Sequence, residues 1–573
     1  MTQNREITEL VAAAQSGFVS RRDLFKRAAA LGLSASALVV WSNSVDASPT
    51  AGAGQVDSRS QASGGEVIVG TSQETVNYNP LTYANNGPDT GPEVLMFDSL
   101  MKIMPDGSLT PNLATAVPTV ANGGITADGL TWTFKLRTDV TWHDGQPFSS
   151  ADVKFTYDTV MNGKGVRSKL GHDRVGTFQT PDDHTVVITL KQPYAPFSLV
   201  WTQGTTAVIP KHILDGKDLL TDPFNTSAPI GTGPFKFVEH VGGDHLTVAR
   251  NPDYHLGAAK LDRVIVKVIP ELPTLYTQLK TGEIDLIDYQ GIPADRFAEA
   301  QKTDGIVAFS YPGSYVEFIY FNNGKPQFQE KAVKQALAHG IDVDTILQTI
   351  YYDTQPKTLT YLSPAHWAYN SNVTAYPFNL DAANKLLDDA GWVKGGDGVR
   401  AKNGVKLSFT NSTTAGNTNR EAAQQIIQQN WKSLGVDMQI NNMPAAVVWA
   451  DYTVQSKFDT LMVAWNDAIS SDPDCTSRLH SQFIPAEGHA GANYVQFKNA
   501  DADKLMEQGA SEIDQTKRKA IYAQLQVLLA DEMPWAPMFN NTNLFGRSAK
   551  LQGYVVHPLC DSNLWNASEW SKA

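Results

Sequence analysis

The stretch from Gly129 to Met161, GLTWTFKLRTDVTWHDGQPFSSADVKFTYDTVM, decides the fold predicted from this sequence. Its first part alternates apolar with polar side chains, a period of two that puts the apolar groups on one face. The apolar members of this alternation are Leu130, Trp132, Phe134 and Leu136. We therefore predict a half-buried strand here.

The second part of the stretch predicts a turn and then a helix. Gly145 supplies backbone freedom for the turn, and Pro147 prevents an early helix. Ser149 followed three residues later by Asp152 is a capping-box pattern, which satisfies free backbone amides at a helix start. Apolar residues at helical spacing follow, so the helix should pack one face against the strand.

Composition and charge narrow the class of protein. The chain has 573 residues, of which 42% are hydrophobic and 18% charged, an ordinary globular composition with room for several domains. The formal net charge of −13 argues against nucleic-acid binding, which needs a basic face to neutralise phosphates.

Residues 1–47 predict a twin-arginine export signal. Ser20–Lys26 (SRRDLFK) carries the arginine pair, and the apolar segment Ala28–Val40 is too short to span a bilayer. An amphipathic N-terminal helix that stays on the protein is the alternative. No cysteine directly follows this segment, so we expect no lipid anchor. Residues 48–65 are rich in Ala, Gly, Ser and Gln and predict a disordered linker.

The two cysteines, Cys475 and Cys560, leave two alternatives open. An even count in an exported protein is compatible with one disulfide, and two separate buried thiols are the alternative. Two cysteines cannot form a zinc site by themselves, and no metal site is predicted.

Motifs along the chain, in their order, resemble the solute-binding proteins of bacterial ABC importers, family 5, the peptide-, nickel- and opine-binding type. The resemblance extends over essentially all of residues 66–570. The motifs that carry it are Asp128-Gly129, Leu136-Arg137, Trp142 to Gly145, Ala151 to Val153, Gly231 to Lys236, Arg250 to Tyr254, Gly282 to Asp285, Asp381 to Trp392 and Arg518 to Pro534.

The resemblance implies a periplasmic-binding-protein-like α/β fold. Two α/β lobes would enclose a hinge cleft, and an extra smaller lobe would be inserted in the first. Strands alternating with helices after residue 313 agree with an α/β lobe. The predicted ranges are 66–98, 201–312 and 535–573 for lobe I, 99–200 for the inserted lobe, and 313–534 for lobe II.

The resemblance also implies which segments line the cleft. Loops at strand ends are where ligand groups tend to lie in α/β sheets, and the loop after the strand Glu66–Gly70 contributes the first set of candidates. A strand crossing between the lobes, with Gly313 able to absorb backbone change, contributes a second set. The candidates from these two segments are Gln73, Tyr78, Asn79, Tyr83, Tyr315 and Glu317.

The sharpest local signal is the segment Phe458 to Cys475, FDTLMVAWNDAISSDPDC. A buried strand ends here, and Trp465, Asn466 and Asp467 project from its end. In peptide-binding members of the family, an aspartate just after this tryptophan binds the ligand's α-ammonium group. A charge-assisted hydrogen bond in a closed cleft is strong and selective. Asp467 is our candidate, and an aspartate that only caps its loop is the alternative.

The block Gly231-Thr232-Gly233-Pro234 could suggest a phosphate-binding loop. No G-x-x-x-x-G-K-[ST] pattern occurs, and the block continues into a strand instead of a helix N-terminus. We therefore predict that its glycines form a tight turn.

Together these features predict a periplasmic receptor that captures a small solute, chiefly a di- or oligopeptide, and delivers it to the membrane permease. An opine, a sugar or a metal chelate are alternative solutes. A secreted hydrolase is a distant alternative, because G-x-S-x-G, H-E-x-x-H, C-x-x-C and S-x-x-K do not occur in a supporting context. We predict no catalytic residue and no cofactor. The expected partners are the ligand, the permease subunits of an ABC importer and the twin-arginine translocase, with no nucleic acid, and we expect a monomer.

Overall fold

The computed structural model describes residues 64–82, 86–166, 168–169, 171–288, 291–465, 472–485, 491–559 and 562–573. The predicted export signal and residues 48–63 of the predicted linker lie outside these residues, whereas Gly64 is described and donates from N to Lys260 O at 2.8 Å. Tyr83, Asn466, Asp467 and Cys560 also lie outside the described residues. Cys475 is buried, and its pairing with Cys560 stays a prediction. Within the described ranges, no helix is both long and apolar enough to cross a membrane.

Strands are numbered here in chain order. They are β1 Glu66–Thr71, β2 Met101–Ile103, β3 Leu109–Pro111, β4 Thr131–Lys135, β5 Val175–Asp182, β6 Thr185–Leu190, β7 Phe235–Val241, β8 His245–Arg250, β9 Arg263–Val268, β10 Leu286–Ile287, β11 Ile306–Phe321, β12 Val393–Lys394, β13 Arg400–Lys402, β14 Val405–Lys406, β15 Ser408–Ser412, β16 Asp437–Ile440, β17 Thr460–Trp465, β18 Trp535–Ser548, β19 Leu551–Gln552 and β20 Ser571–Lys572.

Helices are numbered in the same way. They are α1 Asn86–Met96, α2 Ser150–Asn162, α3 Phe197–Val200, α4 Lys211–Leu214, α5 Leu272–Thr281, α6 Ala294–Ala300, α7 Lys331–His339, α8 Val343–Ile350, α9 Leu380–Asp389, α10 Thr418–Ser433, α11 Ala445–Val447, α12 Thr476–Leu479, α13 Ala500–Ser511 and α14 Gln515–Glu532. A π-helical turn covers Val448–Tyr452.

The stretch that decides the fold forms the predicted strand and helix. In β4, Trp132 and Phe134 are buried, while Thr131 and Thr133, which alternate with them, are half-buried. In α2, Ser149 and Asp152 form the complete capping box, each side chain bonded to the other's backbone. Gly145 has a φ of +88°, in the left-handed region that the predicted turn requires. The strand belongs to a three-stranded sheet, order β4-β6-β5. We call this sheet, together with the hydrophobic cluster that packs around it, the inserted lobe.

A ten-stranded sheet, order β16-β15-β17-β11-β18-β10-β1-β9-β8-β7, forms the frame of the molecule. Strands β9, β1 and β10 run parallel to one another and belong to lobe I. Strands β15, β16 and β17 are also parallel to one another and belong to lobe II. The long strands β11 and β18 pair with each other along both lobes, as the crossover prediction from the sequence requires.

The pairing registers point the carboxyl ends of the two parallel sets toward each other. β10 pairs with β18 at Arg547, which on its other side pairs with Val307 near the start of β11, so β10 runs in the direction of β11 with β18 between them. β17 begins opposite Phe321 and ends with Trp465 opposite Val316, so it runs back toward lobe I. Strand ends from the two lobes therefore face each other near the middle of β11, where ligands of α/β sheets bind.

The β11–β18 pairing is irregular at this point. The register shifts between Pro312 and Val316. The buried side chain of Asn540 bridges the irregular segment, since its Nδ2 donates to Gly313 O at 2.9 Å and to Tyr315 O at 2.7 Å. These bonds satisfy two carbonyls that the ladder leaves out. The segment thus has a defined conformation even though the ladder is broken there.

Separate hydrophobic clusters underlie the lobes. One cluster lies on the lobe I strands around Val67 and Val248, and another fills the inserted lobe around Phe134. Lobe II has two, one around Trp431 and one around Tyr522. The lobe boundaries stated from the sequence stay predictions.

The glycine block has a different role from the predicted tight turn. A Cβ on Gly231 or Gly233 would collide with the backbone of Met96, and neither glycine has a positive φ. Gly233 N donates to Met96 O at 2.9 Å. The glycines are therefore needed for close backbone approach to the end of α1, which a pattern read along one segment could not reveal.

Candidate functional site

The lobe II side of the strand-end junction carries an aromatic wall around Trp465. Its ring lies 5.6 Å from that of Trp449 and 6.1 Å from that of Tyr494, between centroids. The guanidinium carbon of Arg478 lies 4.0 Å from the centroid of Trp465, a cation–π contact. Trp465 Nε1 is buried and has no hydrogen-bond partner among the described residues. The segment that follows, 466–471, lies outside them and contains Asn466 and Asp467.

Tyr315 lies on the neighbouring strand at the same level. It precedes Val316, the residue opposite Trp465, and 37% of its surface is exposed. Its carbonyl is held by Asn540, as described above. Two aromatic candidates from distant parts of the sequence therefore occupy adjacent strands at the junction.

Glu317 lies in a buried ion pair instead of facing solvent. Arg420, in the first turn of α10, donates from Nε to Glu317 Oε1 at 2.6 Å and from Nη2 to Oε2 at 3.0 Å. Burial opposes the charge on Arg420, but the carboxylate outweighs it and raises the pKa of Arg420. Burial, and then the charge of Glu317, raise the pKa of the neighbouring Tyr351 hydroxyl. The bidentate pair joins β11 to α10 and gives this edge of lobe II a rigid frame.

On the lobe I side, the loop after β1 is anchored to its own lobe. Tyr78 is 2% exposed and its ring contacts Phe237 and His240. Asn79 is fully buried and donates from Nδ2 to Asn225 Oδ1 at 3.0 Å. In this conformation Tyr78 and Asn79 offer no surface to a ligand.

Gln73 differs from these two residues because it is half-buried, directly after the end of β1. Thr71 Oγ1 donates to its carbonyl at 3.2 Å. The loop is tied to the β7–β8 hairpin by Glu74, whose Oε1 lies 2.9 Å from His240 Nε2. Gln73 is thus the half-buried candidate of this loop, whereas Tyr78 and Asn79 are buried.

Asp288, at the end of β10, is a site residue that the sequence did not suggest. It is buried, and burial raises its pKa to about 6 against the stabilising hydrogen bonds of Asn563. Asn563 in turn accepts hydrogen bonds at Oδ1 from Tyr554 at 2.8 Å and Tyr311 at 3.2 Å. The network reaches Tyr311, one residue before the irregular segment of β11. No local pattern marks Asp288, because its burial depends on the C-terminal segment.

The loop that follows residues 466–471 contains two acids, the buried Asp472 and the half-buried Asp474. Asp472 is held by Arg518, which donates from Nη1 to Oδ2 at 2.9 Å and from Nη2 to Oδ1 at 2.8 Å. Asp474 accepts from the backbone of Thr476 at 3.0 Å. Burial and then the charge of Asp472 raise the pKa of Asp474. In the described part of the chain, no group of three or more His, Cys, Asp or Glu side chains could hold a metal ion.

Comparisons with known proteins identify the family of this chain. The family described as "Bacterial extracellular solute-binding proteins, family 5 Middle" matches residues 108–483. The oligopeptide-binding protein AppA of Bacillus subtilis (strain 168) is 30% identical over 88% of this chain and 91% of its own.

Solved structures extend the comparison to the fold. AppA of B. subtilis in complex with a nonapeptide has a TM-score of 0.73 at 28% identity, covering 90% of this chain and all of that chain. NikZ from Campylobacter jejuni in complex with Ni(L-His) has a TM-score of 0.72 at 25% identity, covering 88% of this chain and 99% of that one. The two-lobe α/β fold predicted from the sequence is confirmed.

The family consists of transport receptors that act outside the cytoplasm with ABC permeases, and its members are not enzymes. The absence of a catalytic constellation in the sequence agrees with that role. This chain belongs to family 5 of the bacterial extracellular solute-binding proteins.

Proposed function

We propose that this chain is a periplasmic receptor that captures a di- or oligopeptide between its lobes and delivers it to the permease of an ABC importer. The observation that carries the proposal is the aromatic wall of Trp449, Trp465 and Tyr494, located where strand ends from both lobes meet. Aromatic faces accept side chains of different shapes, because their contact area does not depend on one hydrogen-bond pattern. Similarity to an oligopeptide-binding protein supports the same solute class.

The proposed ligand contacts are Gln73, Tyr315, Trp465, Asn466 and Asp467. Asp467 would bind the α-ammonium group, since a charge-assisted hydrogen bond in a water-poor cleft is strong and selective. Tyr78, Asn79 and Glu317, which are buried in this conformation, would support the cleft from behind. Tyr83 stays a predicted contact.

The transport cycle needs no covalent chemistry. A ligand that touches both lobes binds the closed form more tightly and so shifts the population toward it. The permease would then recognise the closed form. We further propose export by the twin-arginine translocase, with the signal in residues 1–47, and a monomeric mature protein.

A metal chelate is the second candidate solute. NikZ from C. jejuni, solved with Ni(L-His), is similar to this chain over most of its length. A chelate brings its own ligands, so a receptor can hold it without a preformed cluster of metal-binding side chains. Opines and sugars remain further alternatives, since aromatic walls also suit them.

Native mass spectrometry of the purified mature protein tests the solute class. We expect a co-purified mass that fits a peptide and disappears after partial unfolding and refolding. A bound mass containing nickel, or a sugar mass, would replace the peptide proposal with the corresponding alternative.

The role of Asp467 has its own test. Asp467→Ala should weaken calorimetric binding of a zwitterionic peptide at least tenfold, about 1.4 kcal/mol, because the ammonium group loses its counter-charge. Asp501→Ala, on the exposed first turn of α13, is the matched control and should bind like the wild type. Equal affinity of Asp467→Ala and wild type would reject this role and leave the solute class to the mass measurement.

A further inference from the structure

Among the described residues, the segment Pro193-Tyr194-Ala195 of the inserted lobe contacts lobe II through two hydrogen bonds. Tyr194 is 4% exposed and belongs to the hydrophobic cluster of the inserted lobe. Its partner Asp474 directly precedes Cys475, which belongs to a lobe II cluster. The contact therefore joins two cores that are otherwise built from different parts of the chain.

Two polar bonds make this contact. Tyr194 Oη donates to Asp474 Oδ2 at 3.4 Å, and Ala195 N donates to Ala510 O, at the end of α13, at 2.8 Å. Burial and the two nearby acids raise the pKa of Tyr194 well above its usual value, so the hydroxyl remains a donor. The guanidinium carbon of Arg174 lies 5.1 Å from the Tyr194 ring centroid and supports the ring from the inserted-lobe side.

An apolar contact lies beside the polar bonds. Ile513, between α13 and α14, lies so close to Gly129 that a Cβ on Gly129 would collide with the end of its side chain. Gly129 lies in the turn before β4 and has a φ of +71°. Lobe II thus contacts the inserted lobe at this turn as well.

The lobe II partners of this contact are already fixed to one another. Arg518 holds Asp472 with two hydrogen bonds and also donates from Nε to Gly509 O at 2.9 Å. Gly509 is the neighbour of Ala510, and Asp472 lies two residues before Asp474. One arginine therefore links both points that Tyr194 and Ala195 touch.

We propose that Tyr194 is a positioning residue that acts through Asp474. The contact of Pro193, Tyr194 and Ala195 with Asp474, Ala510 and Ile513, which we call the 194–195 clasp, holds the inserted lobe on lobe II and fixes the end of the segment that contains Asp467. Its effect on ligand release rests on the proposed function. Its effect on lobe contact does not.

Hydrogen exchange on the ligand-free full-length mature protein tests the clasp. In Tyr194→Phe, which keeps the ring but loses the hydroxyl, the Ala195 amide should exchange at least tenfold faster, and the 472–476 segment should also exchange faster. Exchange in α7 should be unchanged, which excludes global unfolding as the cause. Tyr254→Phe is the matched control, because Tyr254 Oη donates to the buried Asp98 at 3.2 Å on the lobe I side. Unchanged exchange at Ala195 in Tyr194→Phe would overturn the clasp.

A second variant and a ligand readout complete the test. Ile513→Ala removes the apolar contact and should speed exchange at Ala195 as Tyr194→Phe does; wild-type protection in both variants contradicts the clasp. With tetraalanine as the probe, both variants should raise the dissociation rate about tenfold and leave the association rate within twofold, because the clasp resists opening of the lobes and does not itself contact the ligand. If wild type does not bind tetraalanine, the peptide proposal is weakened while the exchange result still decides the clasp. Wild-type dissociation combined with fast exchange would reject the link to ligand release.

Discussion

The two lobes carry buried acids at the same junction but compensate their charge differently. On lobe II, Glu317 is paired with Arg420 and Asp472 with Arg518, each through two hydrogen bonds. On lobe I, Asp288 is stabilised by Asn563, and the groups that shift its pKa within the described residues include no cation.

The difference shows what each lobe contributes before a ligand arrives. A buried carboxylate paired with arginine is fixed in position and neutralised, so lobe II has a rigid edge. A buried carboxylate with neutral partners costs folding free energy as long as it is ionised. Lobe I therefore carries a charge cost next to the irregular segment of β11, whereas arginine compensates the charges of Glu317 and Asp472 in lobe II.

The largest loss of stability is expected when Arg518, which compensates the charge of Asp472 in lobe II, is removed. Arg518→Met leaves Asp472 buried without its partner, beside Asp474, and should lower the free energy of unfolding by about 3–5 kcal/mol. Urea unfolding at pH 7 measures it. Arg263→Met, which removes an exposed pair with Glu66 at 3.2 Å, is the control and should cost about 0–1 kcal/mol. If the two variants show the same small decrease in the free energy of unfolding, the Arg518–Asp472 pair does not stabilise lobe II.

Removing the carboxylate of Asp288 in lobe I should stabilise the protein, and the size of this effect should depend on pH. The folded pKa of Asp288, about 6, exceeds its ordinary value of 3.8. Below pH 3.8 Asp288 is protonated in both the folded and the unfolded state and does not affect stability. Between pH 3.8 and 6 it ionises in the unfolded state first, so the free energy of unfolding falls as pH rises. Above pH 6 the full destabilisation by the buried charge is present. Asp288→Asn should therefore stabilise the protein by about 3 kcal/mol at pH 7 and by almost nothing at pH 3.5.

The control for this prediction is Asp285, two residues before the end of β10. Its carboxylate lies 2.8 Å from Lys572 Nζ and also accepts from Ile68 N at 3.0 Å. Asp285→Asn should destabilise the protein at pH 7, because it weakens a charge-assisted pair. Urea unfolding of both variants between pH 3.5 and 8 measures the difference. A stability curve of Asp288→Asn parallel to that of wild type would contradict the charge cost on lobe I.

The comparison also explains what the sequence could and could not predict. Local patterns identified the half-buried strand at Trp132 and Phe134, the capping box of Ser149 with Asp152, and the extended crossing that became part of β11. Each of these depends on side chains within a few residues of one another. Such features depend on one segment only, so they form in any tertiary structure that buries the apolar face of that segment.

The charge pairs at the junction could not be predicted in this way. Glu317 and Arg420 are 103 positions apart, and Asp472 and Arg518 are 46 apart. Asn540 satisfies two carbonyls of another strand, and Asp288 depends on Asn563. Whether a buried acid is paired with an arginine depends on how the chain crosses between the lobes. No local pattern in the sequence encodes these crossings.

The smallest expected effect concerns the half-buried contact between Arg478 and Trp465 in lobe II. A cation over an indole face contributes about 1 kcal/mol when partly desolvated. Trp465→Leu and Arg478→Met, combined in a double-mutant cycle by urea unfolding, should give a coupling of about that size, because each variant removes one member of the contact. Pairing Arg478→Met with Trp449→Leu is the control and should couple less, since no cation contact joins those two. A coupling near zero for Trp465 and Arg478 would mean that the cation–π contact does not stabilise lobe II. The difference between the lobes would then rest only on the buried acids Asp288, Glu317 and Asp472.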